Sequence, residues 1–122
     1  MDAALTSRVI GLGIEVHRHL GPGLLESAYE ECLAHELTEA GLQFRRQAEL
    51  PIIYKSVRLD CGYRMDLVVE DALILELESA EKILPLHEAQ MPTYLRLSRI
   101  RYGLIMNFNT PVLKDGLRRI VL

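Results

Sequence analysis

The spacing of apolar residues predicts two helices at the start of the chain. Over residues 4–20 the apolar side chains return at the helical repeat of about 3.6 residues, and Thr6 or Ser7 can cap this helix. The run Gly21-Pro22-Gly23 then breaks the repeat. A second helix is predicted over residues 24–40, ended by the glycine that follows it. Its inward-facing side chains are predicted to be Leu25, Ala28, Tyr29, Leu33, Leu37 and Ala40.

The middle of the chain alternates apolar and polar residues in the way that β-strands do. The strands predicted there form a meander and cover residues 44–50, 52–54, 57–59, 63–69 and 73–78. A third helix is predicted over residues 86–97, where Pro92 requires either a kink or a new helix start. Strands at residues 101–107 and 117–121 follow. This order of elements predicts an α/β fold in which helices pack on a mixed β-sheet.

Length and composition narrow the class of protein. The chain has 122 residues, of which 49% are apolar and 25% charged, so we expect one compact domain that spans residues 1–122. Cys32 and Cys61 have no metal-type spacing, and no secretory segment precedes them, so they are expected to be reduced thiols in a cytoplasmic protein. No apolar run approaches the roughly 20 residues of a membrane helix. A membrane partner is therefore not expected.

The charge of the chain excludes one way of binding nucleic acid. The formal net charge is −3, which argues against a protein that coats nucleic acid by bulk electrostatic attraction. It does not exclude an enzyme whose acidic residues bind a metal ion and whose basic residues lie on one face.

Three carboxylates lie on the two strands that flank a predicted tight turn at Glu70-Asp71. Because side chains alternate along a strand, Glu76 and Glu78 share one face, and the hairpin can bring Asp66 close to them. Carboxylates that converge in this way suit a divalent cation. A solvated strand face explains the same residues somewhat better on spacing alone, so both interpretations stay open.

Polar residues on the second and third helices are weaker candidates for a site. Glu26 lies near the start of its helix, where the helix dipole by itself favours a carboxylate. His87, Gln90 and Tyr94 share one face of the third helix, and a Gln and a Tyr one turn apart can hold a phosphate or the edge of a base. A half-buried amphipathic helix explains this face slightly better.

Taken together, these residues resemble a known family. The chain is similar to the GxxExxY protein family, a branch of the PD-(D/E)xK nuclease superfamily, over nearly its whole length. The resemblance is carried by residues 16–29, 63–70, 75–77, 86–90 and 107–109. It implies a restriction-endonuclease-like core and a nuclease activity.

The resemblance also implies roles for the candidate residues. In such nucleases a strand Asp and an acid on the next strand bind Mg²⁺ or Mn²⁺, and these positions match Asp66 and Glu76. A helix Glu that often completes the metal site matches Glu26. The Gln-x-x-x-Tyr pattern of RecB-like members matches Gln90 and Tyr94, which would orient the site and contact DNA.

The chain departs from the family pattern where the family carries a lysine. The family reads Glu-Leu-Lys, and this chain reads Glu76-Leu77-Glu78. Glu78 cannot stabilise negative charge on phosphorus, but it can accept a proton from water or act as another metal ligand. Lys82 is a candidate for a displaced ammonium. Two functions therefore stay open: a Mg²⁺-dependent nuclease that acts on DNA, or an inactive module that binds nucleic acid or protein. A homodimer or a protein partner is open for either.

Overall fold

A mixed five-stranded sheet forms the centre of the protein, and helices cover both of its faces. The computed structural model describes residues 2–122. Its helices are α1 (Asp2–Leu20), α2 (Glu26–Glu39) and α3 (Pro85–Ser98), with a short 3-10 helix at Leu113–Gly116. Its strands are β1 (Phe44–Glu49), β2 (Ile52–Tyr54), β3 (Val57–Leu59), β4 (Arg64–Val69), β5 (Leu73–Glu78), β6 (Tyr102–Asn107) and β7 (Leu117–Val121).

The order of strands across the sheet is β1-β4-β5-β6-β7. Strands β5 and β6 run parallel, and the other neighbours run antiparallel. A parallel pair needs a crossover connection, and α3 supplies it between β5 and β6. The hairpin of β4 and β5 turns at Glu70 and Asp71, which both have positive φ, as a tight primed turn requires. The predicted turn is therefore confirmed.

The two faces of the sheet pack against different helices. Leu73, Leu75 and Leu77 of β5 belong to the core that α1 and α2 cover, whereas Ile74 belongs to the core under α3. Because side chains alternate along a strand, Glu76 and Glu78 face the α3 side. The buried helix residues of the first core are Val9, Ile10, Val16, Tyr29, Leu33 and Leu37, and those of the second are Met91, Tyr94 and Leu95.

The α/β class, the mixed sheet and its flanking helices are confirmed, but the predicted meander is wrong. Strands β2 and β3 pair only with each other, and β1 pairs with β4 instead. The backbone N–H of Leu50 donates to the carbonyl of Tyr63 (3.0 Å), which closes the base of a separate arm, residues 51–62. Six-residue strands offer each other more hydrogen bonds and more buried area than three-residue strands do, a preference that periodicity does not reveal.

Some details of the helices also differ from expectation. Helix α1 begins at Asp2, so Thr6 and Ser7 lie inside it and do not cap it. Leu25 is the residue before α2 and is 77% exposed, so its predicted inward position is wrong. Helix α3 runs through Pro92 without a new start, and its own first turn contains Pro85, where a proline needs no N–H partner. None of the helices in the described chain has the length and hydropathy of a membrane span.

Candidate functional site

The ladder between β4 and β5 stops where Asp66 and Glu76 face each other. Backbone pairing extends from the turn as far as Leu67 and Leu75. Beyond that point the N–H of Asp66 donates to Oε2 of Glu76 (2.8 Å), and the N–H of Leu77 donates to Oδ2 of Asp66 (2.8 Å). The two side chains thus take the place of backbone acceptors, which fixes both carboxylates side by side at the splayed end of the hairpin.

The other side of β4 is irregular at the same position. Gln47 of β1 stands opposite Asp66 and has a φ of 49°, which is uncommon for a residue other than glycine. Met65 and Val68 belong to one core although residues three apart lie on opposite faces of a regular strand. The alternation therefore breaks beside Asp66. Such local strain is often found at functional sites.

Glu30 of α2 holds the irregular part of β1 through two side-chain hydrogen bonds. Its side chain is buried, with a relative exposure of 9%, and accepts hydrogen bonds from Nε of Arg46 (3.0 Å) and Nε2 of Gln47 (2.7 Å). Burial raises the pKa of Asp66, and the nearby Gln47 side chain acts in the opposite direction. Sequence reasoning did not assign roles to Glu30 or Gln47. The spacing of Glu30 one turn after Glu26 was a usable signal, whereas nothing in the sequence marked Gln47.

The carboxylates of this region raise one another's pKa. Burial raises the pKa of Glu76 to about 8, and the charge of Asp66 adds to the effect. Burial likewise raises the pKa of Glu78 to about 7, with repulsion from Glu26 and Asp66. The pKa of Asp66 is raised by burial and by the charges of Glu30 and Glu26. Asp66, Glu76 and Glu78 therefore form an acidic cluster, in which the hydrogen bonds do not fully offset the repulsion between the negative charges.

A tyrosine holds Glu26 beside this cluster. The hydroxyl of Tyr29 donates to the carbonyl of Gly21 (2.6 Å) and accepts from the N–H of Leu24 (3.1 Å). The Leu24 carbonyl in turn accepts from the hydroxyl of Ser79 (2.5 Å), directly after β5. These bonds join the loop before α2 to the end of β5, and they explain why Glu26 lies close enough to Glu78 to raise the pKa of that carboxyl, after the larger effect of burial.

Removing one oxygen tests this connection. We expect Tyr29→Phe to lower the free energy of unfolding by about 1 kcal/mol, because the partly buried Gly21 carbonyl and Leu24 N–H each lose a partner. The ring, stacked on Phe108 with centroids 4.3 Å apart, should stay in place. Urea unfolding measures the change, and Tyr54→Phe on the exposed arm is the matched control. Equal stability of the two variants would contradict the role given to the hydroxyl.

His87 approaches the cluster from the first turn of α3. Its Nε2 lies 3.9 Å from Oε2 of Glu78, and both side chains are largely covered, with exposures of 23% and 17%. Its Nδ1 accepts the N–H of Leu84 (3.2 Å), so the ring proton of the neutral form lies on Nε2 and faces Glu78. Sequence reasoning placed His87 on the same helix face as Gln90 and Tyr94 but gave it no role.

The remaining sequence candidates divide into two groups. Tyr94 is buried next to the acidic pair, since burial and the charge of Glu76 raise its hydroxyl pKa. Gln90 lies one turn earlier and lines the same cavity as Tyr94. Lys82 is exposed in the connection after β5, and in the described chain no carboxylate lies within ion-pair distance of it. The structure thus gathers Glu26, Asp66, Glu76, Glu78 and Tyr94, and leaves Lys82 outside.

The chemistry of the cluster fits a hard divalent cation. Carboxylate oxygens are the ligands that Mg²⁺ and Mn²⁺ prefer, and a cation would offset the surplus charge that raises the pKa values of Asp66 and Glu76. Over residues 2–122, no three His, Cys, Asp or Glu side chains form a ready coordination sphere. The arrangement is a set of suitable donors, two of them fixed by backbone hydrogen bonds.

Comparison with known proteins gives one positive result. A family model described as the PD-(D/E)XK nuclease superfamily matches residues 3–120, which is nearly the whole chain. No curated protein and no solved structure matches the chain significantly.

Proposed function

The chain belongs to the PD-(D/E)XK nuclease superfamily, and from this premise we propose that it is a metal-dependent nuclease that hydrolyses phosphodiester bonds of DNA. Within the superfamily we propose the GxxExxY branch, because Gly23, Glu26 and Tyr29 match its motif. The Tyr29 hydroxyl also holds the loop before α2, and that loop hydrogen-bonds to Ser79 at the end of β5. The observation that carries the proposal is the Asp66–Glu76 pair, held side by side at the end of the hairpin.

Asp66, Glu76 and Glu26 would hold Mg²⁺ or Mn²⁺. When bound, such a cation lowers the pKa of a water ligand and stabilises negative charge that develops on phosphorus. The backbone N–H groups that bond to Asp66 and Glu76 fix the orientation of both carboxylates. Gln47 supports Asp66 from the neighbouring strand, and Glu30 supports Gln47. The protein therefore supplies oriented oxygen donors on a sheet rather than on a mobile loop.

Glu78 is the residue proposed to accept a proton from the attacking water. A pKa of about 7, raised mainly by burial, suits a group that must exchange protons near neutral pH. His87 presents Nε2 to the same carboxylate and would help to orient it. Lys82 would offset phosphate charge only if the connection after β5 folded back toward Glu78. Gln90 and Tyr94 would position the substrate strand along α3.

A second function rests on the residue that replaces the lysine of the family pattern. Burial and the nearby carboxylates of Glu26 and Asp66 raise the pKa of Glu78, which adds a third hairpin carboxylate where the family pattern has a lysine. An uncompensated cluster of this kind repels phosphate. The alternative is therefore a catalytically inactive module that keeps the nuclease fold and binds nucleic acid or protein.

A cleavage assay separates the two functions. Purified protein is incubated with single-stranded, duplex and branched DNA in Mg²⁺ or Mn²⁺, with a chelator as the control. Metal-dependent products support the nuclease. Calorimetric titration of Mg²⁺ and Mn²⁺ gives a second readout, and a folded protein that neither binds the cations at millimolar concentration nor cleaves supports the inactive module.

Substitution at Glu78 gives the sharper comparison. If Glu78 accepts the proton, Glu78→Gln should lower the cleavage rate by about 100-fold while leaving the fold intact, since an oriented base contributes about 10²–10⁴-fold. Glu78→Lys restores the family pattern and should cleave at least as fast as the Gln variant. Cleavage by the Lys variant together with an inactive wild-type protein would identify the natural protein as the inactive module.

A further inference from the structure

A cavity of about 320 Å³ lies between α3 and the base of the arm formed by residues 51–62. Its walls are mostly apolar and include Leu50, Ile52 and Leu86. Tyr63 and Tyr94 both line it and meet edge to face, with ring centroids 6.5 Å apart at an angle of 65°. The polar side chains in the lining, apart from the two tyrosines, are Gln90 and Thr93.

One face of α3 connects this cavity to the acidic cluster. His87 contacts Glu78 at one end, and Gln90 and Tyr94 line the cavity at the other. The positions i, i+3 and i+7 share a helix face and span about 10 Å at about 1.5 Å per residue. Tyr94 is a buried residue, and burial followed by the charge of Glu76 raises the pKa of its hydroxyl. The cavity and the carboxylates are therefore adjoining parts of one surface.

The arm beside the cavity differs in charge from the rest of the chain. The arm, residues 51–62, contains two cations, Lys55 and Arg58, against one carboxylate, Asp60, whereas the chain as a whole has a net charge of −3. Ile53, Tyr54 and Val57 of this arm are more than half exposed. A cationic border next to an aromatic cavity favours a ligand with an anionic backbone and flat apolar rings.

We propose that this cavity binds an unpaired nucleobase of the substrate strand, next to the phosphodiester held at the Asp66–Glu76 pair. The ring of Tyr63 would contact the face of the base, and the amide of Gln90 would bond to its polar edge. The substrate class is then single-stranded nucleic acid, or the unpaired part of a frayed or branched molecule. This inference rests on the nuclease function proposed above.

The residues that line the cavity suit a nucleobase, which has flat faces and a polar edge, better than they suit a purely apolar ligand. Base–aromatic stacking tolerates every base, because each has a π-face, and a single amide can bond to several base edges. A paired base inside a duplex has neither its faces nor its pairing edge free. The cavity therefore predicts a preference for unpaired strands with little sequence selectivity.

The test measures binding of a fluorescently labelled single-stranded oligonucleotide in Ca²⁺. We expect Tyr63→Ala to weaken binding by about 10-fold, or about 1.4 kcal/mol, since stacking of one base contributes that much or more. Tyr54→Ala changes a tyrosine of the arm that does not line the cavity and is more exposed than Tyr63 (60% against 44%), and it should change binding less than two-fold. Tyr63 is 44% exposed, so the fold should tolerate its replacement.

A second measurement uses the unaltered protein and changes the ligand. An oligonucleotide of the same length that contains only abasic sugar-phosphate units should compete about 10-fold less well than the natural strand. Equal competition would show that phosphate attraction alone accounts for binding, and it would overturn the proposal. So would equal binding by wild type and Tyr63→Ala, or a Tyr63→Ala effect on oligomeric state without an effect on DNA binding.

A parallel cleavage assay in Mn²⁺ distinguishes failure of this inference from failure of the proposed function. If cleavage does not depend on Tyr63 and abasic strands bind equally well, the nuclease function is supported and base binding in the cavity is contradicted. Base-dependent binding without cleavage keeps the cavity and supports the inactive module. Absence of both binding and cleavage contradicts both proposals.

Discussion

Asparagine in place of Asp66 is expected to lower the rate of metal-dependent DNA cleavage by about three orders of magnitude, or roughly 4 kcal/mol of barrier. The amide oxygen of Asn can still accept the N–H of Leu77, so the end of the hairpin keeps its hydrogen bond. The negative charge that would hold the cation is lost. Single-turnover cleavage in Mg²⁺ and Mn²⁺ measures the effect.

The matched control for this variant is Asp71→Asn. Asp71 lies in the turn at the other end of the same hairpin, and Asn tolerates its positive φ of 50°. Its carboxylate is 81% exposed and forms a surface ion pair with exposed Arg45, so its loss should leave cleavage within two-fold of wild type. If Asp66→Asn cleaved as fast as Asp71→Asn, the metal site would have to lie elsewhere.

Removing one charge from the cluster is expected to stabilise the metal-free protein at alkaline pH. Burial and Asp66 raise the pKa of Glu76 from 4.5 to about 8. The folded protein therefore binds a proton that the unfolded chain releases near pH 4.5, so stability is present at low pH and is lost as pH rises toward 8. Glu76→Gln carries no such charge and should be more stable at pH 8 by about 2–4 kcal/mol.

Thermal unfolding from pH 5 to pH 9 with a chelator measures this effect. Wild type should lose stability over the interval, whereas Glu76→Gln should lose much less, because its amide oxygen can still accept the N–H of Asp66. The exposed Glu81→Gln serves as control and should follow wild type. Millimolar Mg²⁺ should restore wild type most at high pH. If the stability of the wild-type protein does not fall as the pH rises, ionisation of Glu76 does not destabilise the fold.

The elements of the fold were predictable because local pattern determines them. Apolar periodicity located the three helices and the strands to within a few residues, and the alternation of β5 correctly placed Glu76 and Glu78 on one face. Pairing between strands was not predictable in the same way. Whether β1 pairs with β2 or with β4 depends on competing long-range contacts, which a single sequence does not rank.

The position of a site residue was predictable only where the local sequence determines it. Asp66 and Glu76 stand on adjacent strands of a short hairpin, so their proximity followed from the turn. Gln47 reaches Asp66 through an unusual backbone conformation and through pairing between distant strands, and neither has a mark in the sequence. The covering of Glu78 by His87 depends on how α3 crosses the sheet.

The hydrogen bonds at the splayed end of the hairpin have a consequence for how this protein can change over evolutionary time. Because Asp66 and Glu76 accept backbone N–H groups, selection for folding alone would keep an acceptor at both positions. A related protein without nuclease activity would still carry Asp or Asn, and Glu or Gln, at these two positions. Conservation of the acidic pair would therefore reflect folding as well as activity, whereas a residue that accepts no backbone N–H in the described chain, such as Glu78, tells more about activity.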